Sequence, residues 1–150
     1  MSVMRATFDT NVFVKYAINP KGPSGALLEL WHEQRFDLVL SSEILEEIEQ
    51  VLHRKELRAL HRRSDQEIDT LMKDLKTAIR VVPVSDVDVP ALARRDPDDL
   101  VLVATGKAGK VDYIVTRDED LHSLGEVEGM KVVYPEKFLA IVRTTKTDDL

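Results

Sequence analysis

Val3-Met4-Arg5-Ala6-Thr7-Phe8-Asp9-Thr10-Asn11 alternates apolar and polar side chains as far as Phe8 and then turns to three small polar residues. Such alternation marks a strand, and an Asp-Thr-Asn step is the kind of sequence that ends a strand and starts a loop. The reading of this stretch decides the rest, because an aspartate at the exit of a first strand places a carboxylate at one edge of whatever sheet forms.

Further along, Asn19-Pro20-Lys21-Gly22-Pro23 is a loop, and Ser24 suits the N-cap of a helix carrying Leu27, Leu28, Leu30 and Trp31. Asp37 to Leu40 reads as a short buried strand. From Glu43 to about Arg54, the residues Ile44, Leu45, Ile48, Val51 and Leu52 fall at helical spacing on one stripe. Ser64-Asp65-Gln66-Glu67 is a capping box opening a helix whose core face is Ile68, Leu71, Met72, Leu75 and Ile79. Arg80 to Val84 returns to strand, with Pro83 favouring an edge or strand end. The apolar run Leu100 to Ala104 suits a buried strand by its β-branched residues. Asp96, Pro97 and the acidic first turn favour a helix instead. Tyr113 to Thr116 and Lys131 to Val133 are strands, and Glu136 to Val142 is a last helix.

Strands alternating with helices, without repeats or a linker, predict an α/β/α sandwich around a mostly parallel central sheet. The expected organisation is one domain over residues 1–142, with 143–150 a frayed tail. In such sheets, sites form at the carboxyl ends of strands.

Candidate chemistry follows from that geometry. Asp9 lies past the first strand, Asp99 in the first turn of the Pro97 helix, and Asp118 and Asp120 after the Tyr113 strand, so the four can converge at one sheet edge. Thr10 and Asn11 can bond backbone or carboxylate oxygens and hold Asp9 in one orientation, although the tripeptide alone is equally an ordinary Asx turn. Converging carboxylates repel, and stay ionised only where a cation compensates them. Hard oxygen donors point to magnesium or manganese. Zinc is disfavoured, because His32, His53, His61 and His122 form no zinc spacing and there is no cysteine. On the Glu43 helix the apolar stripe centres near Ile48. Glu46 then points away, whereas Glu47 and Glu49 border the stripe, which makes Glu47 a better fourth ligand than Glu46.

His53 to Arg63 holds Arg54, Lys55, Arg58, Arg62 and Arg63 against one acid, Glu56. This basic patch can track a phosphate backbone beside an acidic site, or can be a solvated charged face. Lys15, Lys107 and Lys110 are weaker candidates for the same role.

Composition bounds the class. The chain has 150 residues, 43% hydrophobic and 32% charged, with formal charge -6, 6 Gly, 6 Pro and no cysteine. Disordered, collagen-like and disulfide-stapled chains are excluded, as are a cysteine nucleophile and an iron-sulfur cluster. No apolar run approaches the roughly 20 residues of a membrane span, and no basic-then-apolar signal pattern opens the chain. A soluble cytoplasmic protein without a membrane role is expected. The phosphate-binding GxxxxGK[ST] and GxGxxG patterns and the GxSxG elbow are absent.

Taken in order, Val3 to Phe8 into Asp9-Thr10-Asn11, Ser42-Glu43-Ile44-Leu45-Glu46-Glu47, Arg95-Asp96-Pro97-Asp98-Asp99 and Thr116-Arg117-Asp118-Glu119-Asp120-Leu121 form a recognisable series. The chain resembles the PIN-domain ribonucleases from about Val3 to Val142, the Tyr134-Pro135-Glu136-Lys137-Phe138 segment included. Within them it is similar to the single-domain branch that supplies toxins of prokaryotic toxin-antitoxin pairs. Carried over, Asp9, Glu47, Asp99 and Asp118 match the metal-binding and catalytic acids, Asp120 an accessory acid, and Thr10, Asn11 and Thr116 supporting polar positions. Asp98 and Asp99 are adjacent and could exchange roles, and Leu121 stands where the family often has an aromatic residue.

The resemblance implies an endoribonuclease that hydrolyses RNA phosphodiesters with one or two magnesium or manganese ions. It implies 5′-phosphate and 3′-hydroxyl products, an antitoxin protein as partner, and a homodimer. Two alternatives stand beside it. One is a PIN-like module that only binds RNA or protein. The other is a receiver-like signalling domain, disfavoured because a single acid, Asp9, follows the first strand.

Overall fold

A computed structural model describes residues 3–81, 88–89 and 96–145. The first strand, β1 (Arg5–Phe8), lies inside the sheet, paired in parallel with β2 (Asp37–Ser41) on one side and β4 (Tyr113–Val115) on the other. Beyond β2 comes β3 (Ile79–Val81), and beyond β4 come β6 (Met130–Val133) and β5 (Glu126–Val127). Every pairing is parallel except that of β5 with β6. The order β3-β2-β1-β4-β6-β5 reverses direction between β1 and β4, and a crevice opens at such a reversal, outside the carboxyl ends of the strands.

Side chains alternate across this sheet and so sort into two cores. Phe8 meets Phe13, Phe36 and Phe138 at ring separations of 5.7–5.9 Å, and Tyr113 joins Phe138 at 5.4 Å. These rings seat α1 (Thr10–Ile18) and α8 (Pro135–Thr144) on one face, with α2 (Pro23–His32) against α8. The other face carries α6 (Pro97–Gly109), which contacts β1, β2, β3 and β4. Its approach is close: a Cβ at Gly109 would stand 2.4 Å from Val39 Cγ1, so only glycine lets the helix lie there. The open choice at Leu100–Ala104 is thereby settled as helix, capped by Asp96 with Pro97 in the first turn. Residues buried nearly all round it explain why periodicity could not decide.

The α3 helix (Ser42–Leu52) buries Ile44, Leu45, Ile48 and Leu52, and α5 (Asp65–Leu75) buries Ile68, Met72 and Leu75 behind the expected Ser64–Glu67 capping box. A mostly parallel sheet between helices matches the α/β/α expectation.

Several local readings are corrected. Asp9-Thr10-Asn11 starts a helix, not a loop: Asp9 caps α1, and Val12, Phe13, Val14 and Ala17 are buried along it. The α2 helix is capped by Gly22 with Pro23 at its first position, leaving Ser24 buried inside. Ile79 belongs to β3 rather than to the α5 core face, and is 38% exposed. A short α4 (Lys55–His61) occupies the basic stretch, and α7 (Glu119–His122) and β5 were not anticipated, since four- and two-residue elements carry no period. The last helix runs to Thr144, two residues past the expected end. Val82 to Val84 with Pro83, Arg95, and residues 146–150 of the expected tail lie outside the described residues.

Candidate active site

The crevice between β1 and β4 is where the separate acidic residues meet. Asp9 leaves β1 and caps α1, its Oδ1 accepting the Asn11 backbone N–H at 2.7 Å. Its Oδ2 accepts the Thr116 hydroxyl at 2.7 Å, from the residue just past β4. Both carboxylate oxygens are therefore oriented by fixed donors. Thr10, 8% exposed, donates its hydroxyl to Glu47 and so ties the first turn of α1 to the middle of α3.

Glu47 reaches the crevice because β2 ends in Ser41, whose hydroxyl caps α3 by accepting Ile44 N–H at 3.3 Å. Ser41 and Thr105 share a buried hydrogen bond at 2.8 Å, which fixes α3 against α6. That helix brings in its acidic first turn: Asp96 caps it by accepting Asp98 N–H at 2.9 Å, and Asp99 points inward with 5% exposure. Asp118 caps α7 by accepting N–H from Asp120 at 2.8 Å and Leu121 at 3.2 Å. Carboxylate oxygens of Asp96, Asp99 and Asp118 lie within 4.8 Å of one another.

Crowding like charges in a partly dry crevice raises their proton affinity. Burial pushes Asp99 up to about 7, helped by repulsion from Asp118, Asp96 and Asp120. Burial also raises Asp9, against the bonds from Asn11 and Thr116 and with repulsion from Asp118 and Asp98. Glu47 is raised by burial and by Asp98, against the Thr10 hydroxyl. The acids thus form two overlapping halves: Glu47 is coupled to Asp98 and Asp9, Asp99 lies with Asp118 and Asp96, and Asp9 is repelled by Asp118 as well as by Asp98. Asp98 neighbours Glu47, whereas Asp99 neighbours Asp118 and Asp96.

A cavity of about 470 Å³ joins them, lined by Asp9, Thr10, Asn11, Glu47, Asp98, Asp99 and Asp118. Every charged donor in that set is a carboxylate oxygen, a donor type that suits a hard divalent cation, whose charge would offset the repulsion among these acids. Asp120 is exposed outside the cavity wall, with its charge acting on Asp99. Glu43, Glu46, Gln50, Arg54 and Asp96 also line the wall. Helix spacing points Glu46 away from the core, yet the solvated side of α3 is itself a wall of the crevice. Asp96 was read only as a cap, and its proximity to Asp118 has no signal in the sequence.

The basic stretch does not act as one surface. Arg58 is held by Asp65 and donates to His53 Nδ1 at 2.7 Å. Arg63 turns the other way, donating to Ala17 O at 3.0 Å and lying 5.6 Å over the Tyr16 ring. Arg54 alone of the five lines the cavity, while Lys55 and Arg62 are exposed without an ion-pair partner among the described residues.

The family model described as the PIN domain matches residues 5–120. The chain belongs to the PIN-domain family. The matched stretch contains Asp9, Glu47, Asp99, Asp118 and Asp120, and the receiver-like alternative is set aside. No curated protein matches this PIN domain. Among solved structures, it is similar to VapBC2 from Rickettsia felis bound to a DNA fragment from their promoter, at TM-score 0.52 and 15% identity. That alignment covers 87% of this chain and 98% of the other. It is also similar to PAE2754 from Pyrobaculum aerophilum, at TM-score 0.53 and 14% identity over 97% of this chain and 100% of that one. At such identities the likeness shows the fold. None of the helices among the described residues is long and apolar enough to cross a membrane.

Proposed function

We propose that this PIN domain is a metal-dependent endoribonuclease, the toxin of a toxin-antitoxin pair, working with one or two magnesium or manganese ions. The observation that carries the reading is the meeting of Asp9, Glu47, Asp98, Asp99 and Asp118 around one cavity, from four places far apart in the chain. Nothing in folding favours gathering five carboxylates unless a cation or a cationic ligand uses them.

Asp9 and Glu47 would hold a cation on one half and Asp99 and Asp118 on the other, with Asp98 and Asp120 beside them. When bound, the cation lowers the pKa of a water and stabilises negative charge on the scissile phosphate and leaving oxygen. Thr10, Asn11 and Thr116 keep the Glu47 and Asp9 oxygens aimed inward, so no reorientation is needed during reaction. A wall carboxylate orients or deprotonates the attacking water. Arg54, at the junction between α3 and α4, offers a cation on the same cavity wall as Glu47, placed for a phosphate beyond the scissile one. Family membership favours RNA as substrate and the likeness to VapBC2 an antitoxin partner, and a homodimer in the cytoplasm completes the proposal.

The test is cleavage of an end-labelled RNA panel with magnesium, manganese or EDTA, comparing wild type with Asp9→Asn. Cutting that needs the metal and is lost in the variant is expected. Cutting that survives EDTA, or survives in Asp9→Asn, overturns the assignment. Folded wild type that binds RNA without cutting it in either metal favours the binding-only reading.

A further inference from the structure

Thr116 carries more of the site than its single bond to Asp9 suggests. The side chain is fully buried, and its hydroxyl has one proton to give. That proton goes to Asp9 Oδ2, while the same oxygen accepts the Asp118 backbone N–H at 3.0 Å. One hydroxyl therefore links Asp9 on one half of the crevice to the turn that presents Asp118 on the other.

Two bonds hold the Thr116 backbone in turn. Its N–H donates to Val133 O at 3.0 Å, an extension of the β4–β6 pairing. Its carbonyl, beyond the last ladder position, accepts His122 Nε2–H at 2.7 Å from the end of α7. A carbonyl only accepts, so the proton sits on Nε2. The imidazole is fixed from behind by stacking on the Tyr134 ring, at 3.6 Å between centroids and 12° between planes. Tyr134 donates its hydroxyl to Glu119 Oε1 at 2.7 Å, which returns the chain of contacts to the first turn of α7.

We propose that His122 is a positioning residue: by clamping the Thr116 carbonyl from its stack on Tyr134, it sets the Thr116 hydroxyl and the Asp118 turn, and with them the spacing of the two halves of the crevice. The consequence for cation affinity rests on the metal-dependent reading above; the clamp itself does not. His122→Leu keeps the bulk and removes the donor, whereas His122→Gln returns an amide N–H to nearly the same place. Tyr134→Phe keeps the stack and loses only the bond to Glu119.

Amide hydrogen exchange over residues 116–121, manganese affinity by calorimetry and RNA cleavage together test this. In His122→Leu, exchange at the Asp118 amide should quicken and manganese affinity should fall about tenfold, with kcat reduced more than KM. In His122→Gln and Tyr134→Phe all three should stay close to wild type. Should the leucine variant not fold, His122→Asn, whose amide stops one bond short, replaces it in the comparison. Equal impairment in the leucine and glutamine variants, or none in either, overturns the proposal. If wild type neither binds manganese nor cuts RNA, the metal-dependent reading fails, and Asp118 exchange alone still decides whether His122 is a clamp.

Discussion

The acidic crevice and the basic stretch His53–Arg63 are both charge clusters in the sequence, and they fold in opposite ways. In the crevice, five carboxylates from separated elements face one another and none of them has an ion-pair partner among the described residues. In the basic stretch, Arg58 goes to Asp65 and Arg63 to Glu67, Ala17 and Tyr16, so two of the five cations are answered, while Arg54, Lys55 and Arg62 are exposed with no ion-pair partner among the described residues. A local cluster can satisfy itself within two turns of chain. Charges assembled by topology cannot, and their repulsion is relieved by bound protons or by a cation from outside the chain. Unanswered charge held by fixed donors, rather than charge density, is thus what distinguishes a candidate site from a solvated face.

The largest expected effect tests the crevice directly. Asp9→Asn and Asp99→Asn should each lower RNA cleavage on the order of a thousandfold while circular dichroism stays native, which single-turnover assays check. The same cut in activity from Arg58→Ala would erase the contrast between the two regions.

A second test uses pH. Asp99 is raised from 3.8 to about 7, and Asp9 and Glu47 are raised too. The folded state then keeps protons that the unfolded chain has released, so the stability from these groups is full at acid pH and is lost as pH rises through about 7. Asp65, Glu67 and Glu136 are lowered instead, and their contribution is lost only at more acid pH. Between about pH 5 and 8, Tm without added metal should therefore fall with rising pH, and manganese should restore it most at the alkaline end. Asp99→Asn should flatten this profile and raise Tm at pH 8 by about 2–4 °C in a scanning calorimeter. A profile that rises toward pH 8 would show that the crevice is not short of positive charge.

Smaller effects separate members of the basic stretch. Arg54→Ala should weaken RNA binding and reduce the slope of log affinity against log salt by about 1, read by fluorescence anisotropy at several ionic strengths. Lys55→Ala and Arg62→Ala should follow at lesser magnitude. Smallest of all, Asp65→Asn should leave RNA affinity and Tm near wild type, since an exposed ion pair is screened and entropically costly.

Much of this was legible without coordinates. The alternation of Val3 to Phe8, the α3 stripe and the Ser64–Glu67 capping box are local signals, and each sits where it was expected. Helix spacing put Glu47 and Glu49 at the borders of the α3 stripe, and of these two Glu47 is the one on the cavity wall, beside Glu46 and Glu43. Where the reading failed, the deciding force was not local. The α1 helix hides behind β-branched Val12 and Val14, whose burial in the core outweighs their weak helix preference. The exposed side of α3 became a wall only because α6 and α7 stand opposite it.

The sequence by itself determined the fold class, the acids at strand exits and helix caps, and the hard-donor chemistry those acids imply, because periodicity and capping act over a few residues. Tertiary structure decided the rest: that Asp98 neighbours Glu47 and Asp99 neighbours Asp118, that Asp96 joins Asp118, that Arg58 and Arg63 are held elsewhere, and that His122 closes on Thr116. Those facts depend on which strands are neighbours. The reversal of strand order between β1 and β4 brings their exits together, and no spacing along the chain encodes it.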